Sequence, residues 1–440
     1  MKYDKFFKLA KEAGIEEAEL YISQKYEVSI SLFHGEIDNN SVNNGFTILA
    51  RGSYKGKFGT SSCDVWNNEK AAFLVNEIVA NAKVIENEDP IFIFKGSEKY
   101  KKVNCYNKEL ANVSLDTKIA KLHELENAIR AFDKRIVEVQ MVEYSENMNS
   151  VTLINSYGLK LTQKSNYFVY VGAAIAKEGE QVKSAYDLIL ENDFAKADMS
   201  TLAQQVGQKA VDQLGGEACE SKVYRAVLSP EVVADLLKVY IGRASAEEVQ
   251  KKSSLFIDKA GQKIASSKLT IEERPLQRNI FARWFDDEGV ATKNKFIVKN
   301  GVLQGYLYNL TTAKKDGVET TGNGYSEGGK IGIDTAFISM KSGKKSQDEL
   351  FSEVGNGVYI TEVSGLHAGM NPQSGNFSLQ STGFLIKDGK KDRGLDLVTV
   401  SGNLLDIFKD IQVVGGDTKI FPSAVSCPSV IIKKITVSGK

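Results

Sequence analysis

A glycine pair near the middle of the sequence separates two halves of different character. Gly215 and Gly216 follow a predicted helix over residues 202–214 and precede a polar run that extends to Lys222. The chain has 440 residues, whereas a single hydrophobic core usually stops growing at roughly 250 to 300 residues. The sequence therefore predicts two domains, residues 1–220 and residues 221–440.

The first half combines helix patterns with strand patterns. Apolar residues recur at three- and four-residue steps over 69–82 and 115–132, which is typical of helices that pack one face on a core. Alternating or apolar runs predict strands at 26–33, 46–51, 135–144, 151–155, 159–163 and 167–176, with an Asn-rich turn at 39–44. This arrangement favours an antiparallel sheet with helices on one face.

The second half is rich in predicted strands. Asn300-Gly301 separates the apolar runs 296–298 and 302–303, which is typical of a hairpin with a type I′ turn. One helix is predicted over 231–242, and another begins near Leu404. The predicted fold class is α+β: an N-terminal antiparallel sheet with helices, followed by a β-rich, barrel- or sandwich-like domain.

The charge balance limits the partners that the protein can bind. Lys and Arg number 56, as do Asp and Glu, so no net field draws the chain to phosphate backbones or anionic lipids. We expect neither direct nucleic-acid binding nor a membrane partner. Charges stand where a signal peptide needs apolar residues, and four scattered cysteines show no framework spacing. Together these features predict a cytoplasmic protein.

Histidine is too scarce for the usual helical zinc site. Such a site needs two imidazoles from one helix face, a third ligand and a carboxylate that takes a proton from the bound water. The three histidines, His34, His123 and His367, lie far apart. Self-contained nucleophilic catalysis is weakly supported as well, because no spacing ties a histidine to a serine or cysteine.

One acidic block is a candidate site. In Arg283-Trp284-Phe285-Asp286-Asp287-Glu288-Gly289, Asp286 and Glu288 would share one face of a strand, whereas Asp287 would point the other way. The block suits an acid/base pair, a cation site or an anchor for a partner's arginine. It also suits an acidic turn held by structural salt bridges.

A glycine-rich loop over residues 365–378 is a second candidate. Glycines at 365, 369 and 375 allow close approach of another chain, and His367, Asn371 and Ser374 offer hydrogen bonds to an extended peptide. The alternative is a loop that links strands and satisfies its own backbone through Asn and Ser side chains.

Six ordered blocks of the sequence resemble the TldD/TldE peptidase family, in the TldE or PmbA branch that is often labelled "modulator of DNA gyrase". The blocks are residues 45–51 with 56–59, residues 285–290, residues 320–324, residues 367–378, residues 400–404, and residues 428–430 with 436–439.

The resemblance also shows a departure from the TldD branch, which has a His-Glu-x-x-x-His helix in its C-terminal domain. Counting back from Ser254 puts Leu237 and Gly242 at the histidine positions and Lys238 at the glutamate. Cys427 directly precedes Pro428, several residues beyond the position of the family's cysteine ligand, so we interpret it as a packing residue.

The resemblance implies a metal-free subunit that needs no cofactor and pairs with a TldD-like subunit that carries zinc. It implies unfolded or small ribosomally made peptides as substrates, with a homodimer when the partner is missing. We expect no catalytic or metal-binding residue in this chain. The expected substrate- or partner-binding residues are Arg51, Asp286, Glu288, His367, Asn371, Ser374 and Gly375.

Two alternatives stay open. One is an independent hydrolase that uses Asp286, Glu288 and His367. The other is a noncatalytic regulatory or binding protein that forms homodimers.

Overall fold

The computed structural model describes residues 3–86, 89–327 and 330–439. Within these ranges the helices are α1 (Asp4–Glu12), α2 (Asn68–Val84), α3 (Leu115–Phe132), α4 (Met199–Asp212), α5 (Pro230–Gly242), α6 (Ala246–Gln250), α7 (Leu310–Asp316), α8 (Gln347–Val354), α9 (Leu366–Gly369) and α10 (Leu404–Lys409).

The strands of the N-terminal half are β1 (Ile15–Phe33), β2 (Glu36–Tyr54), β3 (Lys57–Cys63), β4 (Ile136–Asn155), β5 (Lys160–Glu178) and β6 (Gln181–Glu191). Those of the C-terminal half are β7 (Lys222–Leu228), β8 (Ile271–Glu273), β9 (Lys295–Lys299), β10 (Val302–Leu303), β11 (Gly324–Glu327), β12 (Lys330–Ile333), β13 (Ile338–Met340), β14 (Gly357–Ser364), β15 (Asn376–Lys387), β16 (Lys390–Asn403), β17 (Ile411–Val414), β18 (Lys419–Phe421), β19 (Val425–Cys427) and β20 (Val430–Ser438).

The N-terminal sheet has the order β3-β2-β1-β4-β5-β6, and all its neighbours are antiparallel. Even-numbered residues of β1, such as Leu20 and Ile30, are fully buried in cores that include residues of helices α1 to α4. Because side chains alternate along a strand, Glu19 and Tyr21 lie on the opposite face. That face is turned towards the C-terminal half.

The strands are longer than the sequence pattern predicts, and the predicted turn at 39–44 is wrong. The chain reverses at His34 and Gly35, which have φ of 52° and 78°. The Asn-rich stretch continues β2, pairing from Asn39 with Ser31 to Asn44 with Tyr26. Asparagine has a low strand propensity, but the ladder with β1 supplies backbone hydrogen bonds while most of these side chains stay exposed.

The C-terminal half contains a closed barrel. Its sheet has the order β16-β15-β14-β7-β20-β17, and β16 pairs again with β20, so the strands β16, β15, β14, β7 and β20 form a ring. A second sheet has the order β10-β9-β8-β13-β19-β18. Helix α5 begins after the N-cap Ser229 and buries Leu237 and Tyr240 in the core that both sheets share.

The predicted hairpin at Asn300-Gly301 is confirmed. Both residues have positive φ, and Val302 pairs with Lys299. The α+β class, with an N-terminal antiparallel sheet and a C-terminal part that contains a barrel, is also confirmed. Across the residues that the structure covers, the helices are too short or too polar to cross a membrane.

Apolar packing joins the two halves. Leu153 of β4 and Leu161 of β5 form a buried cluster with Trp284 and Phe285 of the acidic block. The carboxylates that follow Phe285 are therefore placed at the junction between the N-terminal sheet and the C-terminal half.

Helix α2 packs so closely on β3 that we expect Gly59→Ala to destabilise the protein. A Cβ on Gly59 would lie 1.9 Å from the carbonyl oxygen of Ile78, so the helix would have to move. We expect a loss of about 2 to 3 kcal/mol in the free energy of unfolding, measured by urea titration. Gly45→Ala is the matched control, because its Cβ would meet the Lys25 side chain at an ordinary 3.6 Å. Equal stability of the two variants would contradict this packing.

Candidate functional site

Asp286 organises the turn of the acidic block. It is fully buried, and its Oδ1 accepts hydrogen bonds from the backbone N–H groups of Glu288 at 3.0 Å and Val290 at 2.9 Å. Its Oδ2 accepts from the N–H of Gly324 at 2.9 Å. Gly289 follows with φ of 84°, a conformation that favours glycine. Both carboxylate oxygens are thus used to hold two backbone segments together.

Asp287 ties three parts of the chain together. Its Oδ1 accepts a hydrogen bond from the hydroxyl of Tyr21 in β1 at 2.8 Å and forms an ion pair with Arg283. Its Oδ2 accepts from the N–H of Ser326 in β11 at 2.8 Å. This carboxylate links the N-terminal sheet to the C-terminal half.

Glu288 lies between the two halves with only 3% of its surface exposed. Its Oε2 accepts a hydrogen bond from the N–H of Leu310, the first residue of α7, at 2.8 Å. Burial raises the pKa of Glu288 to about 7, although the positive charge of Arg51 opposes that rise. Burial, followed by the charge of Glu288, also raises the pKa of Asp286 well above its ordinary value.

Arg51 brings positive charge to these acids from β2. Its Nε donates to Oε1 of Glu19 at 2.7 Å, and the two residues are register partners on neighbouring strands. Burial raises the pKa of Glu19, while the guanidinium of Arg51 lowers it. Within the described ranges, Oε2 of Glu19 is buried without a hydrogen-bond partner.

Glu19, Tyr21, Arg51, Asp287 and Glu288 border a cavity of about 660 Å³ between the two halves. It lies between strands β1 to β3 on one side and α6, α7 and the β11–β12 hairpin on the other. Apolar residues form part of its wall, among them Leu49, Phe58, Ile85, Ile91, Phe92 and Ile331. Glu19, Arg51 and Glu288 supply charge. The arrangement can receive a cationic or hydrogen-bonding group, and Glu288 can exchange a proton near neutral pH.

The second candidate, residues 365–378, lies elsewhere. The Oδ1 of Asn371 accepts hydrogen bonds from the N–H groups of Gln373 at 2.9 Å and Ser374 at 3.0 Å, and the Oγ of Ser374 accepts from the N–H of Asn376 at 3.3 Å. The loop thus satisfies part of its own backbone. His367, Asn371 and Ser374 are exposed, and Gly375 is buried with φ of 75°.

The structure therefore brings together only some of the expected binding residues. Arg51, Asp286 and Glu288 meet at the junction. The loop borders a separate depression of about 630 Å³ that has no lining residue in common with the 660 Å³ cavity. Glu19, Tyr21 and Arg283 complete the junction, and the sequence analysis did not single them out as binding residues.

A serine in β11 has the sequence spacing of a nucleophile elbow, which the sequence analysis missed. Gly324-Tyr325-Ser326-Glu327-Gly328 fits Gly-x-Ser-x-Gly, and Gly328 lies outside the described residues. Ser326 belongs to β11, which continues through a hairpin to β12. A nucleophile elbow requires a sharp turn from strand to helix, so this local structure does not fit one.

Helix α5 has Leu237, Lys238 and Gly242 at the positions where the resemblance to the TldD branch implies metal-site residues. Leu237 is fully buried, Lys238 forms an ion pair with Asp334 at 2.8 Å, and Gly242 has no side chain. The thiol of Cys427 donates to the carbonyl oxygen of Pro230 at 3.1 Å, and burial raises its pKa. Over the parts of the chain that the structure covers, no three His, Cys, Asp or Glu residues cluster as a metal site.

Comparison with known proteins places this architecture in one family. Sequence models of the PmbA/TldA metallopeptidases match three segments: domain 1 at residues 18–82, the central domain at 108–214 and the C-terminal domain at 221–439. The chain belongs to the PmbA/TldD metallopeptidase family.

Solved structures of PmbA/TldD proteins share the whole fold. A Thermotoga maritima protein described as a modulator of a DNA gyrase is 30% identical, with a TM-score of 0.92 and 99% of each chain covered. TldE from Thermococcus kodakarensis is 22% identical, with a TM-score of 0.91 and 99% of each chain covered. The latter likeness concerns the fold alone.

Relatives with both family names also match in sequence. A metalloprotease PmbA homolog of Buchnera aphidicola is 30% identical over 319 residues, covering 70% of this chain and 67% of the relative. A metalloprotease TldD homolog of the same organism is 25% identical over 283 residues, covering 60% of this chain and 58% of the relative.

We expect Glu288→Gln to change how stability depends on pH. The pKa of Glu288 is raised from 4.5 to about 7, so the folded state favours the protonated carboxyl. Its contribution to stability is complete below pH 4.5 and is lost as the pH rises through 7. Relative to the variant, the wild type should lose on the order of 2 to 3 kcal/mol across that window.

The measurement is urea unfolding of both proteins from pH 4.5 to pH 8. Glu319→Gln is the control, because Glu319 is exposed. A constant stability difference between wild type and Glu288→Gln over the whole window would show that Glu288 keeps an ordinary pKa.

Proposed function

We propose that this chain is the metal-free, TldE/PmbA-like subunit of a TldD/TldE-type metallopeptidase that acts on unfolded or small ribosomally made peptides in the cytoplasm. The observation that carries the proposal is helix α5, where Leu237, Lys238 and Gly242 replace the residues expected to bind and serve zinc. A TldD-like partner would bring the zinc. This chain would complete the site that the two subunits share and help to hold the peptide.

The chemistry of α5 supports this division of labour. A zinc site requires side chains that donate an electron pair to the metal, whereas a leucine side chain cannot do so and the side chain of Lys238 is ion-paired with Asp334. The helix is nevertheless well packed, with eight residues buried along its 13-residue length. Its packing role thus remains without a metal.

We assign substrate or partner binding to the two groups of residues predicted from the sequence. Arg51, Asp286 and Glu288 border or support the charged cavity at the junction. His367, Asn371, Ser374 and Gly375 belong to a glycine-rich loop, where the first three side chains are exposed to another chain.

Reconstitution with a TldD-like subunit from the same cell tests the proposed role. We expect this chain alone to contain no stoichiometric zinc and to leave an unfolded substrate, fluorescein-labelled casein, intact. The TldD-like subunit should bind one zinc, and the pair should cleave casein faster than that subunit alone. Metal analysis and fluorescence provide the two readouts, and chelation of the pair is the control. Near-equimolar zinc together with cleavage by this chain alone would contradict the proposal.

An independent hydrolase is the alternative that one observation favours. A buried carboxyl with a pKa near 7, such as Glu288, suits proton transfer at neutral pH. His367, however, borders a different surface from Glu288, so these two residues do not form one acid/base site in this chain.

Substitution of His367 separates the two functions. In the reconstituted pair, we expect His367→Gln to keep casein cleavage within about twofold of the wild type, because glutamine retains hydrogen-bonding capacity on an exposed helix. Pairing is checked by size-exclusion chromatography, and Asn371→Ala in the same loop serves for comparison. A complete loss of turnover with pairing intact would assign proton transfer to His367.

The homodimeric regulatory protein is distinguished by its partners. Purification of the tagged chain from its source cell should recover a TldD-like subunit. Recovery of homodimer alone, while a TldD-like protein is present in the lysate, would favour the regulatory role.

A further inference from the structure

A second, larger cleft separates the two halves on the side of β6. Its volume is about 1130 Å³. Strand β6 and helix α4 form one wall, and the start of α5 and strands β14, β15 and β18 form the other. Neither the α5 residues Leu237, Lys238 and Gly242 nor the residues that line the 660 Å³ cavity border this cleft.

Strand β6 presents an open edge to the cleft. It is the last strand of the N-terminal sheet and pairs there only with β5. Six consecutive residues of β6, 182–187, border the cleft. Because alternate side chains point to opposite faces of a sheet, such a consecutive run indicates that the cleft follows the edge of the strand.

The β5–β6 hairpin determines which residues of β6 direct their backbone N–H and C=O groups to the open edge. The pair Glu178 and Gln181 closes a two-residue turn between β5 and β6, so every second residue from Val182 directs its N–H and C=O away from β5. The carbonyl of Ser184 agrees with this phase, because it accepts a hydrogen bond at 3.4 Å from the side chain of Gln213 in the connection after α4. Val182 and Tyr186 are 55% and 50% exposed on the same edge.

The facing wall carries acidic side chains. Glu231 in α5 and Glu362 in β14 border the cleft together with Tyr186 of β6. Burial raises the pKa of Tyr186, and the charges of these two carboxylates raise it further. Glu231 has Lys209 at 3.9 Å. Among the residues with described positions, Glu362 has no ion-pair partner within 4.0 Å.

Several lysines of the cleft already have carboxylate partners. Lys183 pairs with Asp396 at 2.6 Å, Lys209 pairs with Asp187 at 2.9 Å, and Lys391 pairs with Asp212. Lys419 of β18 also borders the cleft, and its charge acts on Glu231. The five carboxylates that line the cleft still exceed its four lysines by one, so negative charge remains that a basic ligand can neutralise.

We propose that this cleft binds an extended peptide by strand addition to β6, with basic side chains of the peptide directed to Glu231 and Glu362. The open edge supplies main-chain hydrogen bonds that do not depend on sequence. The acidic wall supplies a preference for lysine or arginine at alternate positions. This inference rests on the proposed peptide-processing function and assigns this chain a part in choosing the substrate.

Binding of designed peptides to the complete chain tests the inference without any partner. The probe is a fluorescein-labelled decapeptide of alternating valine and lysine, and the comparison peptide has glutamate in place of lysine. We expect fluorescence anisotropy to show tighter binding of the lysine peptide. Glu231→Gln with Glu362→Gln should weaken that binding about three- to tenfold. The matched control, Glu109→Gln with Glu319→Gln on other surfaces, should leave it unchanged.

Two further variants test the hydrogen bonds of strand addition. Ser184→Pro removes an outward N–H and should abolish binding while the melting temperature stays near that of Ser184→Ala. Two N-methylated probes are compared, one methylated at the backbone nitrogens of all valines and the other at those of all lysines. Only one of them should bind more weakly, by about tenfold or more, because strand addition uses one edge of the peptide.

Equal binding of the lysine and glutamate peptides, or equal effects of both N-methylated sets, would overturn the inference. A change of oligomeric state in Ser184→Pro by light scattering would instead assign the cleft to a second copy of this chain. If the probe fails to bind but the reconstituted pair cleaves casein, the inference fails while the proposed function stands. If the probe binds as described and the reconstituted pair does not cleave casein, the inference stands while the proposed function fails.

Discussion

Two partly buried arginines make the junction between the halves of this molecule possible. Arg51 from β2 reaches Glu19 and lies near Glu288, and Arg283 pairs with Asp287. Burying several carboxylates costs more free energy than the attraction of the arginines alone returns, unless hydrogen bonds satisfy the remaining oxygens. Backbone N–H groups of Gly324, Ser326 and Leu310 provide such bonds. The site thus requires the sheet, the acidic block, the hairpin and α7 together.

The same architecture is compatible with the metal-free role that we propose for this chain. Helix α5 lies in the core that the barrel shares with the second sheet, where the ring of Tyr240 packs edge-to-face with Phe256 and at a tilt against Phe408. In the proposed metal-free subunit, Leu237 and Lys238 leave the packing role of this helix intact. The C-terminal half keeps the shape of the family.

The sequence predicted features whose cause is local and missed those whose cause is distant. The Asn300-Gly301 turn is encoded by two adjacent residues, and the helices by their own periodicity. Tyr21 and Asp287, by contrast, are hydrogen-bonded across 266 positions of sequence, and no local pattern announces such a pair. The asparagines at 39–44 misled for the same reason: their strand conformation comes from β1. The resemblance to a family supplied Arg51, which composition and periodicity could not identify.

The polar arm of β2 also bears on how the sheet forms. From Glu36 to Gly45 most side chains are exposed, whereas Ile48 and Ala50 are fully buried. A one-residue shift of β2 against β1 would carry Ile48 to the wrong face of the sheet. The same shift would cost little free energy among the asparagines, whose side chains are mostly exposed. The apolar end of β2 therefore sets its register with β1, and the polar arm pairs after that end. Its length is free to drift during evolution, provided that both strands change together.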